Sequence, residues 1–357
     1  MATDSEDPLG LRGTLLAQKY LVGSAVGDGG YSVVYRAEHT IWREPVALKL
    51  FTALARVGEE EREQLLAEFI QEGKLLAALS SRSATIVQAR DFGTVLTPDG
   101  AWIPYMVLEW VDGQPLDQVL DGERQRGLPP RTLHEAMALL EPLATGLHTA
   151  HSRGVVHRDV KPENVLVLGD PRGVAPALKL LDFGVAKVMD VQNALLAETG
   201  SGPMSFTPRY GAPEQFSRRF GATGPWTDVY ALALVMVEVL RGSVLWEEDD
   251  CVRLMHIASD PERRPTPAAF GLQVGSAVES VFQRALAIHP AERYRSVGEM
   301  WGALHGAVFP GAARWGSSSG AGSSITPLSV EQMEVPALRA PRALPRRRRA
   351  PPSRSVR

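Results

Sequence analysis

The sequence predicts an α+β protein with two lobes, an antiparallel-sheet N-terminal lobe and a mainly helical C-terminal lobe, followed by a disordered tail. Residues 20–51 consist of β-branched and aromatic runs separated by glycines, a pattern typical of strands and turns. Between Trp226 and about Gly306 the apolar residues recur with a helical period. From Pro310 onward Gly, Ser, Pro and Arg dominate, and such a segment buries too little apolar surface to offset its ordering entropy.

The predicted boundaries give an N-terminal extension (1–18), one folded unit (19–308) and the tail (309–357). Within the folded unit, the N-terminal lobe covers about 19–108 and the C-terminal lobe about 112–308. With 357 residues, of which 44% are hydrophobic and 22% charged, the chain has the composition of a folded protein. One bilobal unit fits this length as well as two separate domains.

Charge is distributed unevenly along the chain. The formal net charge is −3, but residues 309–357 contain nine Arg, no Lys and two Glu, which gives +7 there and about −10 elsewhere. The run PRRRRAPPSRSVR creates a strong positive potential, so the tail could contact acidic proteins, nucleic acid or anionic lipid, or lie on the acidic folded unit. A nonspecific solubilising role is the favoured alternative, because no aromatic residues are interleaved for base stacking.

The chain has features that suit a cytoplasmic protein. Cys251 is the single cysteine, which excludes an intramolecular disulfide and a cysteine-based zinc site. The start, MATDSEDPLG, lacks a signal-peptide pattern. The longest uncharged apolar run, Ala231 to Val237, is far shorter than the ~18 residues that a transmembrane helix requires. We therefore expect a cytoplasmic location and no membrane span.

In the N-terminal lobe the pattern predicts three strands, a helix and a further strand. The three strands are YLVGSAVGDGG, YSVVYRAEH and PVALKLF. The helix from Glu59 to Leu79 carries its apolar residues at 3.6-residue spacing, and Glu72 falls on this apolar stripe. A carboxylate on a buried helix face requires a partner. The further strand is IPYMVLEWV, which the turn residues of DGQPL end.

The C-terminal lobe is predicted to begin with a capped helix. Thr132 and Glu135, three residues apart, form a capping box at its start. Two short apolar strands follow at NVLVL and LKLLDFG, and the remaining elements are helices.

A glycine-rich stretch, VGDGGYSVV, places Gly27, Gly29 and Ser32 in a G-x-G-x-x-S arrangement. Glycines at this spacing serve ordinary hairpin turns about as often as phosphate-binding loops. A dinucleotide-binding fingerprint is not favoured, because it must open a helix and YSVVY is typical of a strand. A glycine-rich hairpin can instead lie over nucleotide phosphates, since its backbone N–H groups approach them closely. Lys49 follows Ser32 by seventeen residues on an otherwise apolar strand.

The stretch VVHRDVKPENVLV contains His157-Arg158-Asp159, with Lys161 two residues and Asn164 five residues beyond Asp159. With these motifs the sequence resembles a bacterial eukaryotic-type (Hanks-type) serine/threonine protein kinase, from about Tyr20 to Gly306. The resemblance implies a bilobal protein-kinase fold and transfer of the ATP γ-phosphate to protein Ser or Thr hydroxyls. In the family the residue matching Asp159 orients the hydroxyl and accepts its proton, and the one matching Lys161 stabilises the phosphoryl group.

The resemblance also implies a nucleotide site with Mg²⁺ or Mn²⁺. Asn164 and Asp182 match the metal ligands of the family. Leu108 matches the gatekeeper, and Lys49 with Glu72 matches the ion pair that holds the α- and β-phosphates. The complete set of expected nucleotide-binding residues is Val26, Gly27, Gly29, Val34, Ala47, Lys49, Glu72, Glu109, Val111 and Leu166.

The tripeptide Asp-Phe-Gly, which binds metal in this family, occurs twice. Asp182 follows Asp159 by twenty-three residues, after a strand pair and before a polar segment that ends at Ala212-Pro213-Glu214. This order favours Asp182 as the metal ligand. Asp91 precedes the catalytic loop and lies between predicted strands of the small lobe, so we interpret the first copy as a coincidental strand-and-turn sequence.

Two further matches are structural and three features depart from the family pattern. Asp228 matches an aspartate that anchors the catalytic loop, and Arg293 matches an arginine that pairs with Glu214. The third loop glycine is Ser32, and Phe206 occupies a position usually held by glycine, which affects the expected conformation and substrate preference of its segment. The run GDPRGVAP lengthens the spacing before Asp182 and is predicted to be an enlarged turn.

Regulation is expected in the segment between Asp182 and Glu214. Arg158 is the kind of residue that pairs with an activation-loop phosphate, so we expect autophosphorylation at one or more of Thr199, Ser201 and Ser205. Two other functions compete with a protein kinase: a pseudokinase scaffold that binds ATP or a partner without transfer, and a small-molecule phosphotransferase. Retention of the whole catalytic set disfavours the first, and the Lys161-Pro162 and Ala212-Pro213-Glu214 matches disfavour the second.

Overall fold

The computed structural model describes residues 7–29, 32–56, 59–173, 176–183, 206–247, 250–311 and 315. The strands are β1 Leu15–Leu16, β2 Tyr20–Asp28, β3 Val33–His39, β4 Pro45–Leu50, β5 Ala89–Leu96, β6 Trp102–Glu109, β7 Gln114–Pro115, β8 Val165–Leu168 and β9 Ala177–Leu180. The helices within these residues are α1 Glu59–Ser80, α2 Leu116–Gln125, α3 Leu133–His151, α4 Pro213–Phe216, α5 Pro225–Arg241, α6 Cys251–Ala258, α7 Ser276–Ala285 and α8 Val297–Val308.

The N-terminal lobe is built on a six-stranded antiparallel sheet with the order β1-β2-β3-β4-β6-β5. Side chains on one face of the sheet are buried, and Tyr35, Leu48 and Val107 are fully buried in the core of the lobe. Helix α1 packs beside β5, with Phe69, Leu76 and Leu79 buried as the apolar spacing predicted. Burial of these apolar side chains holds α1 in place against the sheet.

The C-terminal lobe is organised around α5. Every residue of this helix from Thr227 to Leu240 is buried, which is why its sequence is apolar on all sides. Helices α3 and α8 pack against it, and β7, β8 and β9 form a small antiparallel sheet in the same lobe. The fold is therefore α+β and bilobal, as the sequence predicted.

Several local predictions are confirmed. Helix α3 begins with the predicted capping box, because Glu135 N donates to Thr132 Oγ1 (3.3 Å) and Thr132 N donates to Glu135 Oε2 (2.7 Å). The strands predicted at NVLVL and LKLL are β8 and β9. No helix in the described part of the chain is long and apolar enough to cross a membrane.

One local prediction is wrong in part. Residues Asp91 to Gly93 form no turn; they lie inside β5 and pair with Val107, Met106 and Tyr105 of β6. The turn was predicted because Asp and Gly are disfavoured in strands and common in turns, yet pairing with the buried β6 overrides that local preference.

The enlarged turn between β8 and β9 is tied to the helical lobe. Arg172 donates to both carboxylate oxygens of buried Glu123 (3.1 Å each) and to the Pro129 carbonyl (2.8 Å). Arg131 forms a second, bidentate pair with Glu123 (2.5 and 2.7 Å). The insertion therefore satisfies a buried carboxylate between α2 and α3.

The described part of the C-terminal segment contacts α3. Trp315 Nε1 donates to Glu141 Oε1 (3.0 Å), and its ring packs edge-on against His148 (5.6 Å). The predicted tail beyond residue 315, including its arginine run, lies outside the described residues.

Candidate active site

Gly27 of the glycine-rich hairpin and Lys49 of β4 lie in one row across the sheet. Register pairs Gly27 with Val34, and Val34 with Lys49, so these three residues lie side by side on β2, β3 and β4. The ladder is irregular at Ala25, where the register shifts on both sides. Such bulges bend a strand and increase its twist, which turns the hairpin over the space beside Lys49.

The next row joins the sheet to the segment between the lobes. Ala47 pairs with Leu108, which is buried, and Glu109 ends β6. Glu109 N donates to the Gln88 carbonyl (2.9 Å), and Gln88 N donates to Glu109 Oε1 (2.9 Å). Val111 follows between the lobes, and Leu166 lies on β8. The register of β4 with β6 thus places Ala47 and Leu108 side by side, whereas Val111 and Leu166 lie outside this sheet.

Lys49 forms an ion pair with Asp182. The lysine is only 6% exposed, and its Nζ donates to Asp182 Oδ1. Burial opposes ionisation of Asp182, but the Lys49 charge and hydrogen bond lower its pKa below the ordinary value overall. Asp182 is therefore held as a carboxylate. The side chain of Glu72 lies outside the described residues, so its predicted pairing with Lys49 remains a prediction.

Asp159 is held by three donors. Its Oδ1 accepts from Thr207 N (2.9 Å), and its Oδ2 accepts from Asn164 Nδ2 (3.1 Å) and lies 3.1 Å from Lys161 Nζ. Lys161 Nζ also donates to Thr207 Oγ1. The Asp159 side chain is 23% exposed, so a substrate can reach it. The three residues predicted to carry the chemistry are thus brought together, and Thr207 joins them.

Buried Asp228 positions the loop that carries Asp159. Its Oδ2 accepts from His157 N (2.8 Å) and from His151 Nε2 (2.8 Å), and its Oδ1 accepts from Arg158 N (2.7 Å). Burial raises the pKa of Asp228, but the His151 contact and the other donors lower it below the ordinary value overall. The resulting carboxylate holds Arg158 at a φ of 69°, a left-handed conformation that a non-glycine residue adopts only when its surroundings impose it.

The catalytic loop is also tied to the Asp182 segment. His157 is fully buried, and its Nε2 donates to the Leu181 carbonyl (2.7 Å). Its ring packs edge-on against Phe183 (4.7 Å between ring centroids). Asp182 itself has a φ of 62°. One histidine thus links the position of Asp159 to that of Asp182.

The first Asp-Phe-Gly tripeptide has a different environment. Asp91 Oδ2 accepts hydrogen bonds from Oη of Tyr20 (2.9 Å), the first residue of β2, and from Nζ of Lys19 (3.2 Å), which directly precedes this strand. Its Oδ1 accepts from Phe92 N (3.0 Å). Asp91 therefore links β5 to β2 within the N-terminal lobe, and its partners are donors rather than further metal-ligating oxygens.

Two contacts near the site were not predicted from the sequence. Lys179 on β9 forms an ion pair with Glu109 at the end of β6, which links the two sheets. Gln215 Nε2 donates to the Arg158 carbonyl (2.8 Å), which connects α4 to the catalytic loop. Neither contact has a local sequence signal, because both join residues more than fifty positions apart.

Helix α5 contributes a buried carboxyl group to the same lobe. Tyr210 Oη donates to Glu238 Oε2 (2.8 Å), and Glu238 is 2% exposed. Burial, reinforced by the Glu163 carboxylate, raises the pKa of Glu238 to about 7, although the Tyr210 hydrogen bond opposes this shift.

This raised pKa predicts a pH-dependent stability. Because folding raises the Glu238 pKa from 4.5 to about 7, the protonated carboxyl favours the folded state fully below pH 4.5, and this contribution is lost as pH rises through 7. Glu238→Gln keeps an acceptor for Tyr210 and cannot ionise. We expect the variant to gain about 1–3 kcal/mol relative to wild type between pH 5 and 8. Thermal unfolding at pH 5, 6, 7 and 8 measures this; a pH-independent difference would contradict it.

The residues present fit a nucleotide with its metal. Asn164 donates through Nδ2 to the Asp159 carbonyl (2.8 Å), which leaves its Oδ1 for a cation, and Asp182 supplies a carboxylate. Within the described residues no group of three or more His, Cys, Asp or Glu could hold a metal by itself. Mg²⁺ commonly binds one or two protein carboxylates and completes its shell with water and substrate phosphates. A carboxylate and an amide suit that mode.

A bilobal fold in which buried Lys49 pairs with Asp182, and in which one loop carries Asp159, Lys161 and Asn164, defines the protein-kinase class. The model of the protein kinase domain family matches residues 20–295, and the chain belongs to this family. Members of the family use ATP and a divalent metal ion.

Curated bacterial relatives are similar over most of the chain. The serine/threonine-protein kinase pkn3 of Myxococcus xanthus is 31% identical over 284 residues, which cover 79% of this chain and 48% of that protein. Serine/threonine-protein kinase PknL of Mycobacterium tuberculosis is 33% identical over 291 residues, covering 81% and 65%. The chain thus spans about half of the first relative and just under two thirds of the second.

A solved structure agrees with the fold. The crystal structure of the Mycobacterium tuberculosis PknI kinase domain aligns with a TM-score of 0.57 and 25% identity, covering 84% of this chain and 98% of that one.

Proposed function

We propose that this protein is a serine/threonine protein kinase that transfers the γ-phosphate of Mg-ATP to Ser or Thr hydroxyls of proteins. The observation that carries the proposal is the environment of Asp159, whose two carboxylate oxygens are oriented by Thr207, Asn164 and Lys161 while the side chain stays accessible. Such an arrangement positions a substrate hydroxyl and a transferring phosphoryl group, which is most of what phosphoryl transfer requires of a protein.

In this proposal Asp159 and Lys161 have separate roles. Asp159 orients the acceptor hydroxyl and takes its proton as the new bond from the hydroxyl oxygen to the γ-phosphorus forms, while the bond from the γ-phosphorus to the bridging oxygen breaks and ADP leaves. Lys161, which contacts both Asp159 and Thr207, offers its ammonium to the charge on the transferring phosphoryl group. Thr207 is hydrogen-bonded to both Asp159 and Lys161. These contacts align the hydroxyl that accepts the phosphoryl group with the phosphoryl group that is transferred.

The nucleotide is proposed to lie between the lobes. Lys49 contacts the phosphates, and Val34, Ala47 and Leu166 enclose the base beside Glu109 and Val111. Val26, Gly27 and Gly29 belong to the hairpin that covers the nucleotide, with Glu72 as the proposed partner of Lys49. Asp182 and Asn164 would hold Mg²⁺ or Mn²⁺. The bound metal neutralises phosphate charge.

Regulation and location remain proposals too. We expect autophosphorylation at Thr199, Ser201 or Ser205, all of which lie outside the described residues, because Arg158 adjoins the catalytic Asp159 and is suited to bind a phosphate. The single Cys251 supports a reducing, cytoplasmic environment. Protein substrates are expected, and the basic tail is proposed to contact acidic proteins or nucleic acid.

The test is transfer of radiolabelled γ-phosphate from Mg-ATP to the protein itself and to a generic basic protein. We expect label on phosphoserine or phosphothreonine, with phosphopeptide mapping locating sites between residues 199 and 205. Asp159→Asn, prepared in parallel, controls for a contaminating kinase and should remain unlabelled. ATP binding without any incorporation by the wild-type chain would instead support a pseudokinase scaffold.

A further inference from the structure

The main chain of Arg158, the residue before Asp159, is held by a hydrogen bond on each side. Its N–H donates to Asp228 Oδ1 (2.7 Å), and its carbonyl accepts from Gln215 Nε2 (2.8 Å). Between these two contacts Arg158 has a φ of 69°, a conformation that a residue with a Cβ atom keeps only when its surroundings impose it. The Asp228 contact holds the peptide unit before Arg158, and the Gln215 contact holds the one after it.

The peptide unit after Arg158 leads directly into Asp159. Because a peptide unit is planar, the direction of the Arg158 carbonyl also sets the direction of the Asp159 N–H and the position of the Asp159 Cα atom. That N–H donates to His157 Nδ1 at 3.3 Å, which is long for a hydrogen bond. Gln215 therefore supplies the shorter of these two hydrogen bonds to the peptide unit that carries Asp159.

The Gln215 side chain is itself held in place by α4. It is half-buried, and its Oε1 accepts from Ala212 N (3.0 Å), while Gln215 N donates to the Ala212 carbonyl (2.9 Å). Its neighbour Glu214 pairs with buried Arg293, which anchors the helix. The amide group thus has a fixed position without any substrate, which is what a positioning group requires.

We propose that Gln215 is a positioning residue for phosphoryl transfer. By holding the Arg158 carbonyl it sets the peptide unit that carries Asp159, and so keeps the Asp159 carboxylate in line with the acceptor hydroxyl. The inference rests on the proposed kinase function and adds a residue that prepares Asp159 for it. A small displacement of the group that orients the acceptor slows transfer, whereas the residues proposed to bind Mg-ATP lie on other segments and are not displaced.

Two substitutions separate the donor role of the amide from its packing. Gln215→Met has a similar length but cannot donate, so the Arg158 carbonyl loses this contact. Gln215→Glu keeps an acceptor for Ala212 N, but it donates to the carbonyl only when its carboxyl group is protonated. A hydrogen bond that only the neutral form makes raises the pKa of a carboxyl group. We therefore expect the Glu variant, but not the Met variant, to recover activity as pH falls.

The experiment measures the transfer step in the full chain. Single-turnover labelling of a generic basic protein by γ-labelled Mg-ATP is followed between pH 5.5 and 8, and steady-state rates give the KM for Mg-ATP. For Gln215→Met we expect transfer about tenfold or more slower than wild type at every pH, with KM within about threefold. For Gln215→Glu we expect a similar loss at pH 8 that shrinks to below about threefold at pH 5.5.

A matched control and a rate ratio remove other effects of pH. Gln283→Glu introduces the same carboxyl group at an exposed position near the end of α7 and should follow the wild type at every pH. The elements packed against α4 carry their own charged or titratable groups, namely Arg158, Asp159, Arg218, Arg219, Arg253 and His256. All of them are present in the wild type too, so the ratio of variant to wild-type rates removes their titration.

The outcomes separate the two proposals. If Gln215→Met transfers at the wild-type rate, or if Gln215→Glu shows the same loss at every pH, the positioning role is wrong and the kinase function stands. Recovery of Gln215→Glu at low pH cannot come from an unfolded protein, so it supports the role even where Gln215→Met fails to fold. Absence of transfer from the wild type to the basic protein and to itself overturns the kinase function, and the positioning role with it.

Discussion

Asp182→Asn is expected to reduce phosphate transfer by about a hundredfold or more, whereas Asp91→Asn should retain it within about threefold. The two residues occupy identical Asp-Phe-Gly tripeptides, so the sequence change is the same in both variants. What differs is the environment, and the comparison therefore tests the location of the active site rather than the effect of losing one carboxylate.

Asp182 is the more sensitive residue because its charge has a specific partner. The pKa of this carboxyl lies below its ordinary value, since Lys49 counteracts the cost of burial. The neutral Asn side chain would leave buried Lys49 without its described partner and would remove the carboxylate proposed to hold the metal. Both losses act on the phosphates of the nucleotide, so transfer should fall steeply.

Asp91 stabilises the N-terminal lobe instead. An Asn at this position still offers an oxygen to Tyr20 Oη, and its ion pair with Lys19 is half-exposed and contributes at most about 1 kcal/mol. We expect a small loss of thermal stability and little loss of activity. Initial rates of radiolabel transfer at saturating Mg-ATP, with far-UV circular dichroism to verify folding, provide the measurement.

The reverse ranking would contradict the assignment. If Asp91→Asn lost transfer while folded and Asp182→Asn kept it, the catalytic residues proposed around Asp159 would have to be reassigned.

Ordered motifs made much of this site predictable. His157, Asp159, Lys161 and Asn164 lie within eight residues. Their short separation along the chain therefore already places them close together in the fold. The strands around Lys49 were equally predictable, because β-branched and aromatic runs separated by glycines are typical of strands and turns. The α+β architecture follows from the same periodicities.

Contacts between distant segments could not be predicted in this way. Arg172 and Glu123 are 49 residues apart, and the composition of the insertion that carries Arg172 predicted only a turn. Likewise, the match of Phe206 to Gly211 becomes visible only in the fold, where the rings of Phe206 and Phe216 both lie close to Gly211. Such pairings depend on packing, for which a single sequence has no periodic signal.

The largest stability effect is expected at the ion pair of Glu214 and Arg293. Both side chains are fully buried, and the guanidinium donates to both carboxylate oxygens at 2.9 Å. Thr227 Oγ1 also donates to Glu214 (2.8 Å), and Arg293 additionally donates to the carbonyls of Ala287 and Ile288. The pair thus joins α4 to the segment before α8.

Arg293→Met should lower the free energy of unfolding by about 3–5 kcal/mol, because it leaves the buried Glu214 carboxylate without its charged partner and two buried carbonyls without their donor. Arg124 offers a matched control, since its pair with Asp121 is 52% exposed on both sides. Arg124→Met should cost less than about 1 kcal/mol. Urea unfolding followed by tryptophan fluorescence compares the two variants under identical conditions.

The double variant Glu214→Gln/Arg293→Met separates the ion pair from the packing around it. Replacing the carboxylate by a neutral amide removes the unpaired buried charge while an oxygen remains for Thr227, so part of the lost stability should return. Equal midpoints for Arg293→Met and Arg124→Met would show that the buried pair adds nothing beyond an exposed one. A double variant less stable than Arg293→Met would show that the carboxylate is stabilised by its neighbours without the arginine.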